Sequence, residues 1–175
     1  MSLRKLVFVL MLVLPLGLCK AQSAPAKPIE PTAIGVVYHL DPTSQELKPL
    51  PDEQWRKGTS GNTSPWHPNP DYLLLVISGA SSSFRIRVDE RAEFVFKTGS
   101  PEQVSLYRLG QKDSKRQLAY AKPNNRGGIR EPVKGLPVEV STYGERSYKL
   151  VPASPLTPGE YAIIIADEVY TFGVD

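Results

Sequence analysis

Residues 161–172, Tyr-Ala-Ile-Ile-Ile-Ala-Asp-Glu-Val-Tyr-Thr-Phe, form the clearest structural signal in this 175-residue chain. Two runs of β-branched and aromatic residues, 161–165 and 169–172, flank the polar pair Asp167-Glu168. These residue types favour extended strands, and a short polar break between two such runs is typical of a hairpin turn. The chain is therefore predicted to end in a pair of antiparallel strands.

Strand signals recur from Thr32 onwards. Residues 72–77 are a continuous apolar run of strand length, and residues 84–88 alternate strictly, with Arg85 and Arg87 between apolar side chains. Because side chains alternate across a strand, the apolar positions of 84–88 are predicted to face one way. Further strands are predicted at 33–40, 45–50, 94–96, 104–109, 118–121, 138–140 and 148–150, with 118–121 pairing with 104–109 across a turn at 111–114.

The breaks between these runs are rich in turn-forming residues. Residues 51–71 contain four prolines and two glycines, so this stretch is predicted to be irregular, with at most one helical turn at 52–57. The serine-rich cluster at 78–83 is predicted to be a hairpin turn. About nine or ten short strands with such breaks, and no substantial helix, predict an all-β protein built as an antiparallel β-sandwich.

The segment Leu156-Thr157-Pro158-Gly159-Glu160-Tyr161 resembles the tyrosine corner of immunoglobulin-like and fibronectin-like sandwiches. In those folds a tyrosine near the start of the penultimate strand bonds back to upstream backbone. The resemblance implies an immunoglobulin-like sandwich in the broad sense, with Leu156 plugging the core, Gly159 in the turn and Tyr161 as the corner. It covers about the last 20 residues, lacks the cysteine pair and buried tryptophan of antibody domains, and implies no activity.

The N-terminal segment has the layout of a secretory signal peptide. Arg4 and Lys5 precede 13 mostly apolar residues at 6–18, and a small-residue site ends at Ala21. A bilayer span needs about 20 apolar residues, so an uncleaved anchor is disfavoured. We predict a signal peptide at 1–21, a proline-rich tether at 22–31 and one folded domain at 32–175, with no transmembrane segment after processing.

Cysteine usage indicates where the protein goes. Cys19 is the only cysteine, so the mature chain is predicted to contain none. Small exported animal domains usually depend on disulfides, and their absence favours a bacterial envelope, with a periplasmic or extracellular location. Leu18 stands where bacterial lipoproteins place Gly or Ala before the lipidated cysteine, so lipidation at Cys19 is disfavoured.

The charge balance argues against a nucleic-acid partner. Three of the 21 basic residues lie in the predicted signal peptide, which leaves 18 basic and 18 acidic residues in the mature chain. A dedicated nucleic-acid binder would be strongly basic. Residues 108–134 nevertheless hold eight basic and only two acidic residues. This zone is a candidate for attracting an anionic partner. The alternative is that these are ordinary solvated charges on surface loops. The candidate binding residues are Lys112, Lys115, Arg116, Arg126 and Arg130.

Aromatic side chains cluster in the proline-rich stretch before residue 73. Trp55, Trp66, His67 and Tyr72 lie there, and they include both tryptophans of the protein. Aromatic faces on pre-ordered loops provide contact platforms for sugars, peptides or proteins. Packing of these rings over an edge of the sandwich is the alternative.

The sequence contains no recognisable catalytic constellation. His39 and His67 are the only histidines, no metal-ligand spacing or nucleophile elbow is present, and no metal or cofactor is predicted. We therefore predict a non-enzymatic binding module whose partner is envelope polysaccharide or another protein. One alternative is an envelope-polymer hydrolase that uses loop carboxylates with His39 or His67. The other is a structural subunit whose C-terminal strand, ending at 172–175, pairs with a partner's sheet edge.

Overall fold

Within residues 28–61, 70–123 and 129–175, thirteen strands form two sheets that share one large hydrophobic core. The structure is a computed structural model and describes residues 28–61, 70–123 and 129–175, with residues 129–131 described by their backbone alone. Within these ranges the only helical element is the short 3₁₀ turn Pro101–Gln103. The prediction of an all-β, sandwich-like protein is confirmed.

The smaller sheet has five strands. These are β1 (Val37–Leu40), β2 (Leu47–Pro49), β6 (Phe94–Phe96), β10 (Val138–Tyr143) and β11 (Ser147–Pro152). Their order across the sheet is β10-β11-β6-β1-β2, and all neighbours are antiparallel.

The larger sheet has eight strands. These are β3 (Trp55–Ser60), β4 (Tyr72–Ser78), β5 (Arg85–Ile86), β7 (Val104–Lys112), β8 (Lys115–Pro123), β9 (Ile129–Pro132), β12 (Gly159–Ile165) and β13 (Glu168–Val174). Seven follow the order β3-β4-β8-β7-β12-β13-β5, and β9 pairs with the far end of β8. The short pair β5–β13 is parallel, and the other strand pairs of the described sheet are antiparallel.

The larger sheet curls because the chain approaching β3 runs beside β13. Glu53 N–H donates to Val169 O at 2.9 Å, and Thr171 N–H donates to Pro51 O at 3.3 Å. This curl encloses a second, smaller core, which contains Leu75 of β4 and Ala162 of β12. Strands β12 and β13 therefore lie between two cores.

Burial on both faces explains the continuous apolar run that opens the C-terminal hairpin. Tyr161, Ile163 and Ile165 point into the large core, whereas Ala162 points into the small one. A strand covered on both sides has no solvent face, so its sequence does not alternate with polar residues. The predicted hairpin is confirmed, with its two-residue turn one position earlier than expected: Ile165 pairs with Glu168.

The tyrosine-corner segment makes the hydrogen bond that its sequence predicts. Tyr161 Oη donates to the backbone oxygen of Thr157 at 2.7 Å, and the ring is 1% exposed. Leu156 packs against the large core, and Gly159 has a φ of +154°, which residues with a side chain rarely adopt. Leu156, Gly159 and Tyr161 thus lie where the chain enters β12 beside the large core.

Several strand predictions are wrong in detail. The described residues form thirteen strands rather than nine or ten, and the described part of the stretch predicted to be irregular, 51–61, contains β3. The cluster 78–83 is not a hairpin turn, because β4 pairs with β3 and β8 whereas β5 pairs with β13. Val88 is 50% exposed and does not share the burial of Ile86. Sequence patterns indicate which residues are buried, but they do not predict which strands pair with each other.

The C-terminal strand is not a free sheet edge either. β13 pairs with β12 on one side, and on the other side it bonds to β5 and to the backbone of Pro51 and Glu53. Its hydrogen-bonding groups are already used within the chain. The predicted pairing of 172–175 with a partner's sheet therefore does not fit this structure.

The end of the predicted tether is attached to the smaller sheet. The Glu30 carboxylate accepts hydrogen bonds from Glu145 N–H at 2.7 Å, Arg146 N–H at 3.1 Å and Ser147 Oγ at 2.9 Å. These donors lower the pKa of Glu30, with the Glu145 amide as the largest cause. Glu30, near the end of the predicted tether, is thus held at the turn between β10 and β11.

Candidate functional site

A groove lies where β4 begins and β8 ends. We call it the Tyr72 groove; its cavity volume is about 570 Å³. Its lining combines one aromatic ring, two lysines and small apolar surfaces, and consists of Tyr72, Ala119, Lys122, Pro132, Val133 and Lys134.

The strand register brings the aromatic ring and the first lysine together. β4 and β8 are antiparallel, with Leu73 opposite Ala121, so the first residue of β4 lies near the last residues of β8. Lys122 Nζ sits 5.7 Å from the centroid of the Tyr72 ring. That distance is typical of a cation–π contact, which holds an ammonium group over an aromatic face.

The second lysine adds charge to the same groove. Lys134 is exposed, follows β9 and lines the same groove as Lys122. An exposed ammonium group attracts an anion, and the ring offers a flat apolar face to a sugar. The two features predicted separately from sequence, aromatic and basic, therefore meet at Tyr72 and Lys122.

The other aromatic residues do not join this groove. Trp55 lies at the opposite end of β3, because it pairs with Ile77 whereas Ser60 pairs with Tyr72. Its indole Nε1 donates to Asp167 O at 3.0 Å, and its ring packs against the small core. Trp55 therefore has a packing role, which was the alternative to ligand binding considered for the tryptophans. Trp66 and His67 lie outside the described residues.

The predicted basic zone is split between the two ends of β8. Lys112 and Lys115 flank the β7–β8 turn. Lys115 is seven residues from Lys122 along β8, which corresponds to roughly 23 Å of strand. Arg126 lies outside the described residues, and Arg130 is described by its backbone alone. The described basic side chains of 108–134 thus do not make one continuous surface patch.

Arg116 is a buried structural residue rather than part of a basic surface. Its side chain is 1% exposed, and Nη2 lies 3.0 Å from Glu53 Oε1. The guanidinium also donates to the hydroxyl of Thr171 and to the backbone oxygens of Ser78 and Gly79. A sequence signal for this was present: Arg116 is two positions before Leu118, and such residues share a strand face.

His39 is buried against aromatic rings. The edges of Phe84 and Phe94 lie near it, with centroid separations of 5.6 and 5.9 Å. Nε2 is 3.5 Å from Glu90 Oε1 and makes no hydrogen bond within the described part of the chain. Burial lowers the pKa of His39 and outweighs the opposing effect of the Glu90 and Asp41 carboxylates.

These surroundings give the hydrolase alternative no support. His39 faces the core rather than a groove, and His67 lies outside the described residues. Among residues 28–61, 70–123 and 129–175, no three His, Cys, Asp or Glu side chains form a group that could hold a metal ion.

The buried histidine predicts a loss of stability in mild acid. Below about pH 6.5 the unfolded chain protonates His39, whereas the folded chain stays neutral there because its pKa is lower. The unfolded state then binds more protons, so the free energy of unfolding falls as the pH drops through this window. Urea titrations at pH 7.5 and pH 5 measure the difference in the free energy of unfolding between these two pH values. This difference should be smaller in His39→Phe. An unchanged fall in the variant would contradict this prediction.

A second groove, of about 480 Å³, opens between the two sheets. Arg87 and Arg91 line it together with Glu90 and Glu139, above an apolar floor that includes Leu156. Because its lining carries both charge signs, this groove favours neither an anion nor a cation.

The fold and the Tyr72 groove together define an all-β, sandwich-like protein with a small aromatic and basic groove at one end of its larger sheet. Comparison with protein-family models, curated proteins and solved structures found no match for this chain. No helix among the described residues is long and apolar enough to cross a membrane.

Proposed function

We propose that this protein is an exported, non-enzymatic binding module and that the Tyr72 groove binds an acidic polysaccharide. The observation that carries the proposal is the position of Lys122 Nζ, 5.7 Å above the Tyr72 ring, with Lys134 lining the same groove. The ring stacks on a sugar face, and the exposed ammonium group of Lys134 pairs with a carboxylate or phosphate substituent of the sugar.

The proposal includes the cellular context. Residues 1–21 direct export and are removed, and the domain acts in the bacterial periplasm or outside the cell. We propose further that the sandwich is immunoglobulin-like in the broad sense, and the hydrogen bond from Tyr161 to Thr157 supports this.

Two lysine substitutions test the groove. Polygalacturonate serves as the acidic probe, and its binding to the full chain should weaken as salt is added. Lys134→Gln should weaken binding by up to about fivefold, the range for an exposed ion pair. Lys112→Gln is the matched control, because Lys112 is also exposed but lies at the other end of the β7–β8 hairpin. Equal losses in both variants would contradict the assignment to this groove.

The aromatic ring is tested by a second pair of variants. Tyr72→Ala should weaken binding by about fivefold or more, since losing a central aromatic contact costs over about 1 kcal/mol. Tyr72→Phe keeps the ring and should bind nearly as well. Calorimetric titration measures both. Release of new reducing ends from the polymer would instead favour the hydrolase alternative.

A further inference from the structure

Strand β10 is the outer strand of the smaller sheet, and half of its backbone groups point outward. Ala153 N–H donates to Pro137 O at 3.0 Å, one position beyond the register that pairs Val138 with Pro152. In an antiparallel pair, hydrogen-bonded positions alternate with positions whose groups point away. Hence 139, 141 and 143 bond to β11, and 138, 140 and 142 direct their N–H and C=O groups away from the sheet.

The outer strands β2, β3 and β5 are guarded against pairing, and β10 is not. β2 has three residues and contains Lys48 and Pro49, β5 has two residues, and β3 carries Arg56 and Lys57. Short length, lysine and proline are the usual devices that block edge-to-edge association. β10 has six residues, Val-Glu-Val-Ser-Thr-Tyr, with neither lysine nor proline.

The same edge leaves an apolar side chain uncovered on the core-facing side. Val140 lies opposite Leu150, which is fully buried, and directly opposite residues share a sheet face. Val140 is nevertheless 39% exposed. A further strand beside β10 would cover it.

We propose that β10 pairs antiparallel with β10 of a second copy of this chain, about a two-fold axis at Val140. Val140 then faces Val140 of the second copy, and Val138 faces Thr142 of that copy. The outward-pointing groups meet one another, forming about six backbone hydrogen bonds, two for each facing pair. The two five-stranded sheets join into one continuous sheet.

Self-complementarity favours a second copy over an unrelated strand. A two-fold interface places the same patch on both sides, so the patch must suit itself. In this register the single charge of β10, Glu139, faces Ser141 of the second copy, and no like charges are opposite each other. The exposed Val140 side chains cover each other on the axis.

Opposite charges placed at Ser141 test both the dimer and its register. Ser141 is exposed, so its variants should melt at the wild-type temperature. Ser141→Lys puts a lysine opposite Glu139 twice in each dimer and should lower the dimer dissociation constant roughly fivefold to tenfold, whereas Ser141→Glu should raise it by a similar factor. If the axis were at Ser141 instead, Ser141→Lys would place two lysines face to face and weaken the dimer, which would overturn the proposed register.

Sedimentation equilibrium of the full chain measures the dissociation constant, and amide hydrogen exchange locates the interface. Raising the protein concentration should slow exchange at 138, 140 and 142. The amides at 139, 141 and 143 already bond to β11 and should change much less. A chain that stays monomeric throughout, or a dimer that leaves those three outward amides unprotected, would overturn the proposal.

Discussion

Arg116→Met is expected to lower the free energy of unfolding by about 3–5 kcal/mol, the usual cost of removing one partner from a buried ion pair. The guanidinium contacts Glu53 and Thr171 with Nη2 and Nη1, at 3.0 and 2.9 Å. It also satisfies the backbone oxygens of Ser78 and Gly79. A methionine of similar length fills part of the space, but it leaves the Glu53 carboxylate without its cation and removes the guanidinium donor from the backbone oxygens of Ser78 and Gly79.

Two further variants show whether charge is the cause. Lys115→Met removes a positive charge from the neighbouring, half-exposed position and should change stability by less than about 0.5 kcal/mol. Adding Glu53→Gln to Arg116→Met should recover part of the loss, because the unpaired carboxylate is then gone. Chemical denaturation measures all three. A loss below about 1 kcal/mol for Arg116→Met would contradict the structural role given to this residue.

Phe172→Ala should be about equally damaging, with a loss of about 3–5 kcal/mol. Phe172 is fully buried and joins the two sheets. Its ring centroid is 4.7 Å from that of Phe94 in the smaller sheet and 5.4 Å from that of Tyr161 in the larger one. Alanine would leave a cavity between two rigid sheets that cannot close over it.

Volume-conserving and exposed substitutions provide the comparison for Phe172. Phe172→Leu keeps most of the apolar volume and should cost less than about 1.5 kcal/mol. Val88→Ala, at a half-exposed position, should have an effect below about 0.5 kcal/mol. A loss below about 1 kcal/mol for Phe172→Ala would contradict the bridging role given to this ring.

The candidate site was only partly predictable from sequence. Aromatic and basic residues stood out as two separate features because each was concentrated in one stretch of the chain. Their meeting at Tyr72 and Lys122 depends on the antiparallel register of β4 and β8, with Leu73 opposite Ala121. Local composition does not specify which residues of two strands lie opposite each other. The sequence around Tyr72 and Lys122 therefore did not predict the groove.

Arg116 shows the opposite case, in which composition misled. It was grouped with surface lysines because it lies among them in sequence, and its buried position depends on Glu53, 63 residues earlier.

Edge strands also could not be predicted from the local sequence. The run 172–175 predicted a free C-terminal edge, but β5 and the Pro51–Glu53 backbone cover it, and the exposed edge is β10 instead.

Strand content and the C-terminal hairpin could be read from the chain alone, because each depends on neighbours within a few residues: the alternation of side chains and the turn chemistry. The partners of each strand, the curl that buries β12 on both faces, and the groove beside Tyr72 became visible only in three dimensions. They depend on contacts between residues that are far apart in sequence. Those contacts form because apolar surfaces are buried together. The hydrophobic effect is non-directional, so the local sequence does not specify which distant segments pack against each other.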